Sequence, residues 1–315
     1  MQKNTTRQLV SILCISRNRI DLLTRALASC EQLDSPSREI IVIDNNSIVR
    51  IDDRIRENFP EVLVFRTHKN IGFFPALNLA ISMSHGDYIV IIDDDAYFES
   101  HDAISKWLAR FSEDPKLMIA TCNIDGPNEF PKEKENRYVH TFKTGFSIIR
   151  REVFTELVGF FPNFFFRSGG EAYLSTALWD MGFRVLQVAN VTMYHEQTSI
   201  SRDNWDWNYY GHRSQNAVLF MRSPWYLIPS KLLMKFMNGF IATIRTKASL
   251  FAWARSWTDL IFLAREIRAY RKPISGKTEL LLQILKNKKI STPQALEEVV
   301  MNIQHPCAQQ ITNRK

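Results

Sequence analysis

The feature that most constrains this chain is the alternation, through its first hundred residues, of short continuous apolar runs with segments of helical periodicity. The predicted elements are 9–16 (strand), 20–33 (helix), 39–44 (strand), 62–67 (strand), 74–84 (helix), 87–93 (strand) and 103–111 (helix). Strands that are apolar on both faces are typical of parallel sheets covered by helices on either side. We therefore expect an α/β fold with a mostly parallel central sheet flanked by helices.

The second half of the chain has a less regular pattern. The polar stretch 123–140 is predicted to be a mobile loop. A helix is predicted to begin near Glu171 and to end at Gly182, before a strand over 183–188. From about residue 216, aromatic, aliphatic and basic residues are mixed. We therefore predict a sheet-based domain over residues 1–215 and a helical, basic amphipathic C-terminal region over 216–315.

Positive charge is concentrated in that C-terminal region. Between Lys231 and Glu279 there are ten Lys/Arg and three Asp/Glu, and the rest of the chain balances at thirty against thirty. No stretch has the roughly 18 to 20 uncharged apolar residues that span a bilayer. A basic, aromatic, amphipathic segment suits an anionic membrane surface, or else a packed helix pair with a solvated basic face. Nucleic acid is not an expected partner, because the first domain has no basic excess.

The cysteines and the N-terminus bear on the compartment. The four cysteines are scattered and form no CxxC pair, so we expect no disulfide framework and a reducing cytosol. The first residues have no apolar stretch of the length that a signal peptide needs. We expect a cytoplasmic protein that can attach peripherally to the inner face of the cell membrane.

Three polar clusters follow predicted strands: Ser16-Arg17-Asn18-Arg19, Asp44-Asn45-Asn46-Ser47 and Asp93-Asp94-Asp95. In open α/β sheets, ligands bind at the carboxyl ends of the strands. Three adjacent carboxylates repel one another unless a positive charge lies among them. Strand alternation would direct Asp93 and Asp95 to one side and Asp94 to the other. The triplet therefore predicts a metal site, with a solvated turn that caps the next helix as the alternative.

Five segments together resemble family 2 glycosyltransferases of the GT-A type, including rhamnosyltransferase-like enzymes of bacterial glycan assembly. They are VSILCISRNRIDLLTRALASC, IIVIDNNS, HKNIGFFPALNLAISMSHGDYIVIIDDDA, GGEAYLSTALWDMGFRV and VTMYHEQTS, within residues 8–200. The resemblance implies metal-dependent, inverting transfer of a hexosyl or deoxyhexosyl group from a nucleoside diphosphate sugar. The acceptor would be a hydroxyl of a glycan or of a lipid-linked glycan, in cell envelope polysaccharide biosynthesis.

The resemblance also assigns candidate site residues. Asp95 would be the direct metal ligand in the DxD motif, and His195 would complete a site for Mn²⁺ or Mg²⁺, with Mn²⁺ favoured by the imidazole. Asp44 would accept a hydrogen bond from a pyrimidine, which favours a UDP- or dTDP-linked donor. The other expected nucleotide- and donor-binding residues are Ser16, Asn18, Arg19, Asn46, Asn70, Gly72, Asp93 and Asp94. For Asp44, the alternative is a turn that closes the strand.

Glu171 is the expected general base, which would take the proton of the acceptor hydroxyl. The family usually has two acids at the start of this helix, and here Gly170 occupies the first position and Glu171 the second. The alternative is a helix-start acid favoured by the helix dipole. We expect the loops 123–145 and 163–170 to recognise the donor sugar.

Two other functions remain open at this point. A nucleotidyltransferase shares the nucleotide-binding sheet and the acidic metal site, but it would be expected to carry a glycine-rich basic loop after the first strand. CISRNRID has no glycine. A catalytically degenerate nucleotide-sugar-binding module would explain the missing acid at position 170.

Overall fold

The computed structural model describes residues 8–35, 37–129, 131–198 and 204–304. Its first half contains β1 (Val10–Ser16), α1 (Ile20–Glu31), β2 (Arg38–Asp44), α2 (Asp52–Asn58), β3 (Val62–Arg66), α3 (Phe73–Met83), β4 (Tyr88–Asp93), β5 (Ala96–Phe98), α4 (Ala103–Glu113), β6 (Leu117–Asp125), β7 (Arg137–Tyr138) and β8 (Phe146–Arg150). The second half contains α5 (Gly170–Asp180), β9 (Arg184–His195), α6 (Asn204–Arg222), α7 (Ile228–Arg245), α8 (Leu250–Phe262), α9 (Ala264–Ala269), α10 (Gly276–Asn287) and α11 (Pro293–Gln304).

The strands form one sheet in the order β3-β2-β1-β4-β8-β6-β9-β5, with β7 paired to β9. Strands β1 to β4 pair in parallel, whereas β8 runs antiparallel to both β4 and β6. The register aligns Ser16 with Asp44, and Ile15 with Asp93. The three polar clusters therefore meet at one edge of the sheet, and the predicted α/β architecture is confirmed.

The core forms where the apolar periodicity predicts it. Every residue of β1 is buried, and α1 turns Leu23, Leu27 and Cys30 toward the sheet. Burial of Leu23 and of Leu27 stabilises the fold by about 1.5–3 kcal/mol each. These contacts hold the carboxyl ends of β1, β2 and β4 on a rigid support.

The predicted loop over 123–140 is wrong at both of its ends. Strand β6 continues to Asp125, and residues 137–138 form β7. The polar residues toward the end of β6 concealed how far this strand extends, because their side chains are hydrogen-bonded inside the protein. Thr121 donates to the Phe146 carbonyl (2.8 Å), and the Asn123 amide donates to the Ala189 carbonyl (2.8 Å). Helix α2 was also not predicted, and β9 extends to His195, beyond the predicted end at residue 188.

The C-terminal helices divide into two parts. Helices α10 and α11 pack on the sheet domain through Leu281, Leu285 and Leu296, which belong to the main core. Helices α7 and α8 pack on each other, with Phe236 against Trp253 at 4.7 Å between ring centroids. Helix α6 passes without a break through the predicted boundary at 215/216, and that division of the chain stays a prediction.

Within the described ranges, no helix is both long and apolar enough to cross a membrane. Cys14, Cys30 and Cys122 are buried free thiols, and Cys307 lies outside the described residues.

Candidate active site

A cavity of about 560 Å³ lies at the carboxyl ends of β1 and β4. Polar and charged side chains from the sheet edge, from the segment 128–146 and from the segment before α5 surround it. Nine of the twelve predicted site residues line the cavity: Ser16, Arg19, Asn70, Gly72, Asp93, Asp94, Asp95, Glu171 and His195. Asn18, Asp44 and Asn46 do not line it. Both loops expected to recognise the donor sugar contribute lining residues.

The three aspartates have different partners: Asp94 bonds to Arg19, whereas Asp93 and Asp95 lie beside His195. Asp94 is buried and accepts hydrogen bonds from the Ser16 hydroxyl and from Arg19, both at 2.8 Å. Burial raises the pKa of Asp94, and the positive charge of Arg19 opposes that effect. The prediction from strand alternation that Asp94 faces away is therefore wrong. Strand β4 ends at Asp93, and residues 94–95 form a turn, so the alternation does not continue.

Asp93, Asp95 and His195 form the candidate metal centre. One ligand atom from each residue lies within 4.8 Å of the other two. The His195 Nε2 atom is buried 3.5 Å from Asp95 Oδ1 and has no hydrogen-bond partner in the described part of the chain. An unpaired imidazole nitrogen beside two carboxylates is a donor set that fits Mn²⁺ or Mg²⁺.

Glu129 orients His195 from the other side of the ring, and the sequence prediction missed this residue. Its carboxylate lies 3.0 Å from His195 Nδ1 and accepts from Lys143 Nζ at 2.6 Å. Burial tends to raise the pKa of Glu129, but the bonds from Lys143 and His195 outweigh it and lower the pKa. An ionised Glu129 places the imidazole proton on Nδ1, which leaves the Nε2 lone pair for a cation.

Glu171 lies in the first turn of α5, at the edge of the same cavity. The Thr144 hydroxyl donates to its Oε1 at 2.8 Å. Burial raises the pKa of Glu171, and this hydrogen bond works in the opposite direction. A partly buried carboxylate with a raised pKa is a stronger base than an exposed one.

The structure leaves no space for a side chain at Gly170, the position before Glu171. A Cβ atom at Gly170 would overlap the Phe74 ring and lie 2.8 Å from Phe161. Phe74 and Phe161 are fully buried and pack on each other at 4.6 Å between ring centroids. Aromatic packing therefore fills the space that a side chain at position 170 would need.

Asn70 and Gly72 form a turn held by Asn45, a second residue that the prediction missed. The Asn45 amide donates to Asn70 Oδ1 (3.0 Å) and to the Gly72 carbonyl (3.1 Å). Gly72 has φ +90°, and a Cβ atom there would lie 2.6 Å from Phe166. Glycine is required by both the backbone conformation and the available space.

Asp44 and its neighbours form a turn beside the cavity. Asp44 Oδ1 accepts from the Ser47 amide (2.8 Å), and Oδ2 accepts from Arg66 (2.5 Å). Asn18 and Asn46 have φ of 59° and 62°, a conformation that asparagine tolerates better than most residues. This geometry matches the turn alternative for Asp44, and contacts from these three residues to a nucleotide stay predictions.

Gly145 and Arg17 complete the site, and neither was among the predicted residues. The Asp93 amide donates to the Gly145 carbonyl at 3.3 Å, and a Cβ atom at Gly145 would overlap the Asp93 carboxylate. Arg17 lines the cavity, and its buried Nε has no hydrogen-bond partner among the described residues. Arg17 is therefore a cation available to an anionic ligand.

Comparisons with known proteins agree with the fold. The sequence profile described as "Glycosyl transferase family 2" matches residues 11–176. An uncharacterized glycosyltransferase of Haemophilus influenzae is 27% identical over 125 residues, a match that covers 38% of this chain and only 50% of that protein.

Similar solved structures include S. aureus TarS 1-349 in complex with UDP-GlcNAc, with a TM-score of 0.59 and 16% identity, covering 94% of this chain and 92% of that chain. The mannosyltransferase PcManGT from Pyrobaculum calidifontis, in complex with GDP-Man and Mn²⁺, has a TM-score of 0.56 and 16% identity, covering 96% and 89%. GalNAc-T7 with UDP, GalNAc and Mn²⁺ has a TM-score of 0.58 and 16% identity, covering 71% of this chain but only 49% of that chain. The predicted GT-A-type fold is confirmed.

Proposed function

Because the chain belongs to glycosyl transferase family 2, we propose that it transfers a hexosyl or deoxyhexosyl group from a nucleoside diphosphate sugar to a hydroxyl group. The proposed donor is UDP- or dTDP-linked, and the proposed acceptor is a glycan or a lipid-linked glycan of the cell envelope. The observation that carries the proposal is that the Asp93–Asp95–His195 cluster and Glu171 line one cavity.

The proposed reaction is a single displacement that inverts the anomeric centre. Glu171 removes the proton from the acceptor hydroxyl while its oxygen attacks the anomeric carbon. The bond to the nucleoside diphosphate breaks in the same step, and Arg17 contributes positive charge near the departing diphosphate. Arg19 and Ser16 keep Asp94 in place, so the turn that carries Asp95 does not have to reorganise during the reaction.

A divalent cation bound by Asp93, Asp95 and His195 would supply positive charge to the diphosphate leaving group. Mn²⁺ is the favoured ion, because imidazole is a better ligand for manganese than for magnesium. Glu129 positions the imidazole for this role through Nδ1.

The products of the reaction test this proposal. The protein is incubated with UDP-, dTDP- and GDP-sugars, Mn²⁺ and a panel of glycan acceptors. A glycosyltransferase releases nucleoside diphosphate and an anomer-inverted product, whereas a nucleotidyltransferase acting on a sugar phosphate exchanges pyrophosphate. Binding of the donor without turnover, unchanged in Glu171→Ala, would instead identify a nucleotide-sugar-binding module.

The same protein is proposed to attach peripherally to the cytoplasmic face of the membrane through α7 and α8. Phe251 and Phe262 on α8 are 68% and 81% exposed, and Leu233 on α7 is 65% exposed. Arg245, the last residue of α7, and Lys247, between α7 and α8, are also exposed. Exposed aromatic residues flanked by basic side chains suit an anionic lipid surface. Trp253, in contrast, packs inward, so only some of the aromatic side chains of α8 are exposed for contact with lipid.

A further inference from the structure

A second cavity, of about 550 Å³, lies between the sheet domain and the C-terminal helices. It shares three lining residues with the first cavity: Lys143, Ser168 and Glu171. Glu171 is therefore accessible from both cavities. If the donor occupies the first cavity, the second is where a molecule must lie to present a hydroxyl to Glu171 from another direction.

The second cavity has an excess of positive charge. Lys143, Arg222, Lys231 and Lys235 line it, against two acids, Glu171 and Glu279. Two of these cations already form ion pairs with acids other than Glu171. Lys143 binds Glu129 and Lys231 binds Glu279, both at 2.6 Å.

Arg222 and Lys235 have no carboxylate within ion-pair distance in the described ranges. Arg222 is only 5% exposed and stacks over the Tyr173 ring at 4.2 Å. Its Nη1 donates to the Lys272 carbonyl at 3.3 Å, whereas its Nε lacks a hydrogen-bond partner among those residues. Lys235 Nζ donates to the Gln215 carbonyl at 3.2 Å. Burial lowers the pKa of Lys235 to about 8, with the charge of Lys231 adding to the effect. Two cations without a carboxylate partner are costly on the wall of one partly buried cavity, and a bound anion would relieve that cost.

The remainder of the cavity wall is apolar. Val218, Leu219, Met234 and Ile274 line it together with the cations. A small polar sugar alone would leave this wall without a partner. The cavity therefore suits a molecule that carries an anionic group and an apolar or weakly polar portion.

We propose that the second cavity binds the acceptor, and that the acceptor carries a phosphate group held by Arg222 and Lys235 while its hydroxyl faces Glu171. The proposal rests on the proposed glycosyl transfer and adds the chemical class of the acceptor. Arginine binds phosphate through paired N–H donors, and lysine binds it as a point charge. The phosphate can belong to a lipid headgroup or to a water-soluble phosphate ester, and the apolar wall distinguishes these two sources.

The test is calorimetric titration of the full-length protein with hexyl phosphate, hexanol and inorganic phosphate, in the presence of saturating UDP and Mn²⁺. Occupying the first cavity with UDP prevents the probes from binding at the donor site. Hexyl phosphate is expected to bind about tenfold more tightly than hexanol. Lys235→Gln is expected to weaken the binding of hexyl phosphate about fivefold or more. Lys277→Gln, the same change at an exposed lysine of α10, is expected to change this affinity less than about twofold.

Comparison of hexyl phosphate with inorganic phosphate distinguishes a lipid-linked acceptor from a water-soluble one. Binding of hexyl phosphate well above that of inorganic phosphate supports a lipid-linked acceptor, and equal binding supports a water-soluble phosphate ester. Equal binding of hexanol and hexyl phosphate, no loss in Lys235→Gln, or displacement of UDP by hexyl phosphate would overturn the proposal. Failure of UDP to bind would instead count against the donor site, so the two proposals fail separately. Because Arg222 is buried, Arg222→Lys, which keeps the charge, is the second variant, and it is expected to weaken binding less than Lys235→Gln.

Discussion

The carboxyl edge of the sheet and the α7–α8 helix pair differ in what each one exposes and buries. At the sheet edge, Asp94 and Asp95 are 5% and 3% exposed, although carboxylates are ordinarily found in water. On α8, Phe251 and Phe262 are largely exposed, although large aromatic side chains ordinarily lie inside. The two regions depart in opposite directions from the distribution that would best stabilise an isolated globular protein.

This contrast indicates what each region binds. A cluster of buried carboxylates is completed by a cation, and the Arg19 guanidinium lies 2.8 Å from Asp94 but 3.4 Å from Asp95. In the proposed function, the exposed apolar surface of α7 and α8 is covered by an anionic lipid interface. Removing the unusual group from either region should therefore impair binding or catalysis without loss of stability. Each prediction below tests that expectation.

Glu171→Gln should have the largest effect. Loss of the general base is expected to reduce kcat by about 10³-fold. Burial raises the pKa of Glu171 in the folded protein, so the ionised carboxylate destabilises the fold above the pKa of the unfolded chain. The variant should therefore melt at a higher temperature than the native protein at neutral pH and at the same temperature in acid, where both side chains are neutral.

Steady-state kinetics and calorimetric melting at several pH values measure both parts of that prediction. Glu156→Gln, the same change at an exposed glutamate, is the control and should alter neither quantity. A Glu171→Gln protein that retains kcat, or that melts at a lower temperature at neutral pH, would show that this carboxylate has a structural role.

Asp95→Asn should have the next largest effect, because it removes one of the two carboxylates of the candidate metal centre. Turnover in Mn²⁺ is expected to fall about a hundredfold. Without a metal, the variant should be no less stable than the native protein, since Asp95 lies beside Asp93 and Asp94. Melting curves with EDTA and with Mn²⁺ plus UDP provide the measurement. Metal and nucleotide should stabilise the native protein and the control Asp53→Asn, a change at an exposed residue, but not Asp95→Asn.

The double variant Phe251→Ser, Phe262→Ser tests the exposed apolar surface of the α7–α8 helix pair. We expect its binding to vesicles of equal parts phosphatidylglycerol and phosphatidylcholine to weaken about tenfold in a sedimentation assay, because apolar area no longer enters the lipid. Hydrolysis of a soluble donor and melting temperature should not change. Phe160→Ser is the control, since Phe160 is a 42% exposed phenylalanine of the sheet domain.

Point substitutions are preferable to deletion of residues 231–315 in this experiment. Helices α10 and α11 contribute Leu281 and Leu296 to the main core, and Glu297 pairs with Arg184. A truncated protein would lose stability for reasons unrelated to lipid. Undiminished vesicle binding by the double variant, or equal loss in Phe160→Ser, would contradict membrane attachment through α8.

The sequence predicted those elements that depend on neighbouring residues, and it did not predict those that depend on contacts between distant parts of the chain. The strands β1, β2 and β4 were located to within one residue, because a continuous apolar run has few other interpretations. The end of strand β6 was assigned to a loop, since the burial of Asn123 is compensated by hydrogen bonds that only the folded chain provides.

The same limit applies to the candidate site. The aspartate triplet and His195 could be identified from their positions after strands, but Glu129 lies 66 residues before His195 among other charged residues. Nothing in its neighbourhood distinguishes it from Glu133 or Glu135. The second cavity was not predictable either, because it forms only where α6, α7 and α10 pack beside the start of α5.

Thr144→Val should have the smallest effect and should show how the Thr144 hydroxyl influences the pKa of Glu171. The Thr144 hydroxyl donates to Glu171, which favours the ionised form and opposes the effect of burial on its pKa. Without this bond the pKa of Glu171 rises further, and the acid limb of the kcat/KM profile should move to higher pH. Well above that pKa the carboxylate is ionised in both proteins, so the plateau should differ by no more than about threefold. The exposed Thr155→Val should leave the whole profile unchanged. A uniform loss of rate at every pH would mean that Thr144 positions the substrate and does not set the ionisation of Glu171.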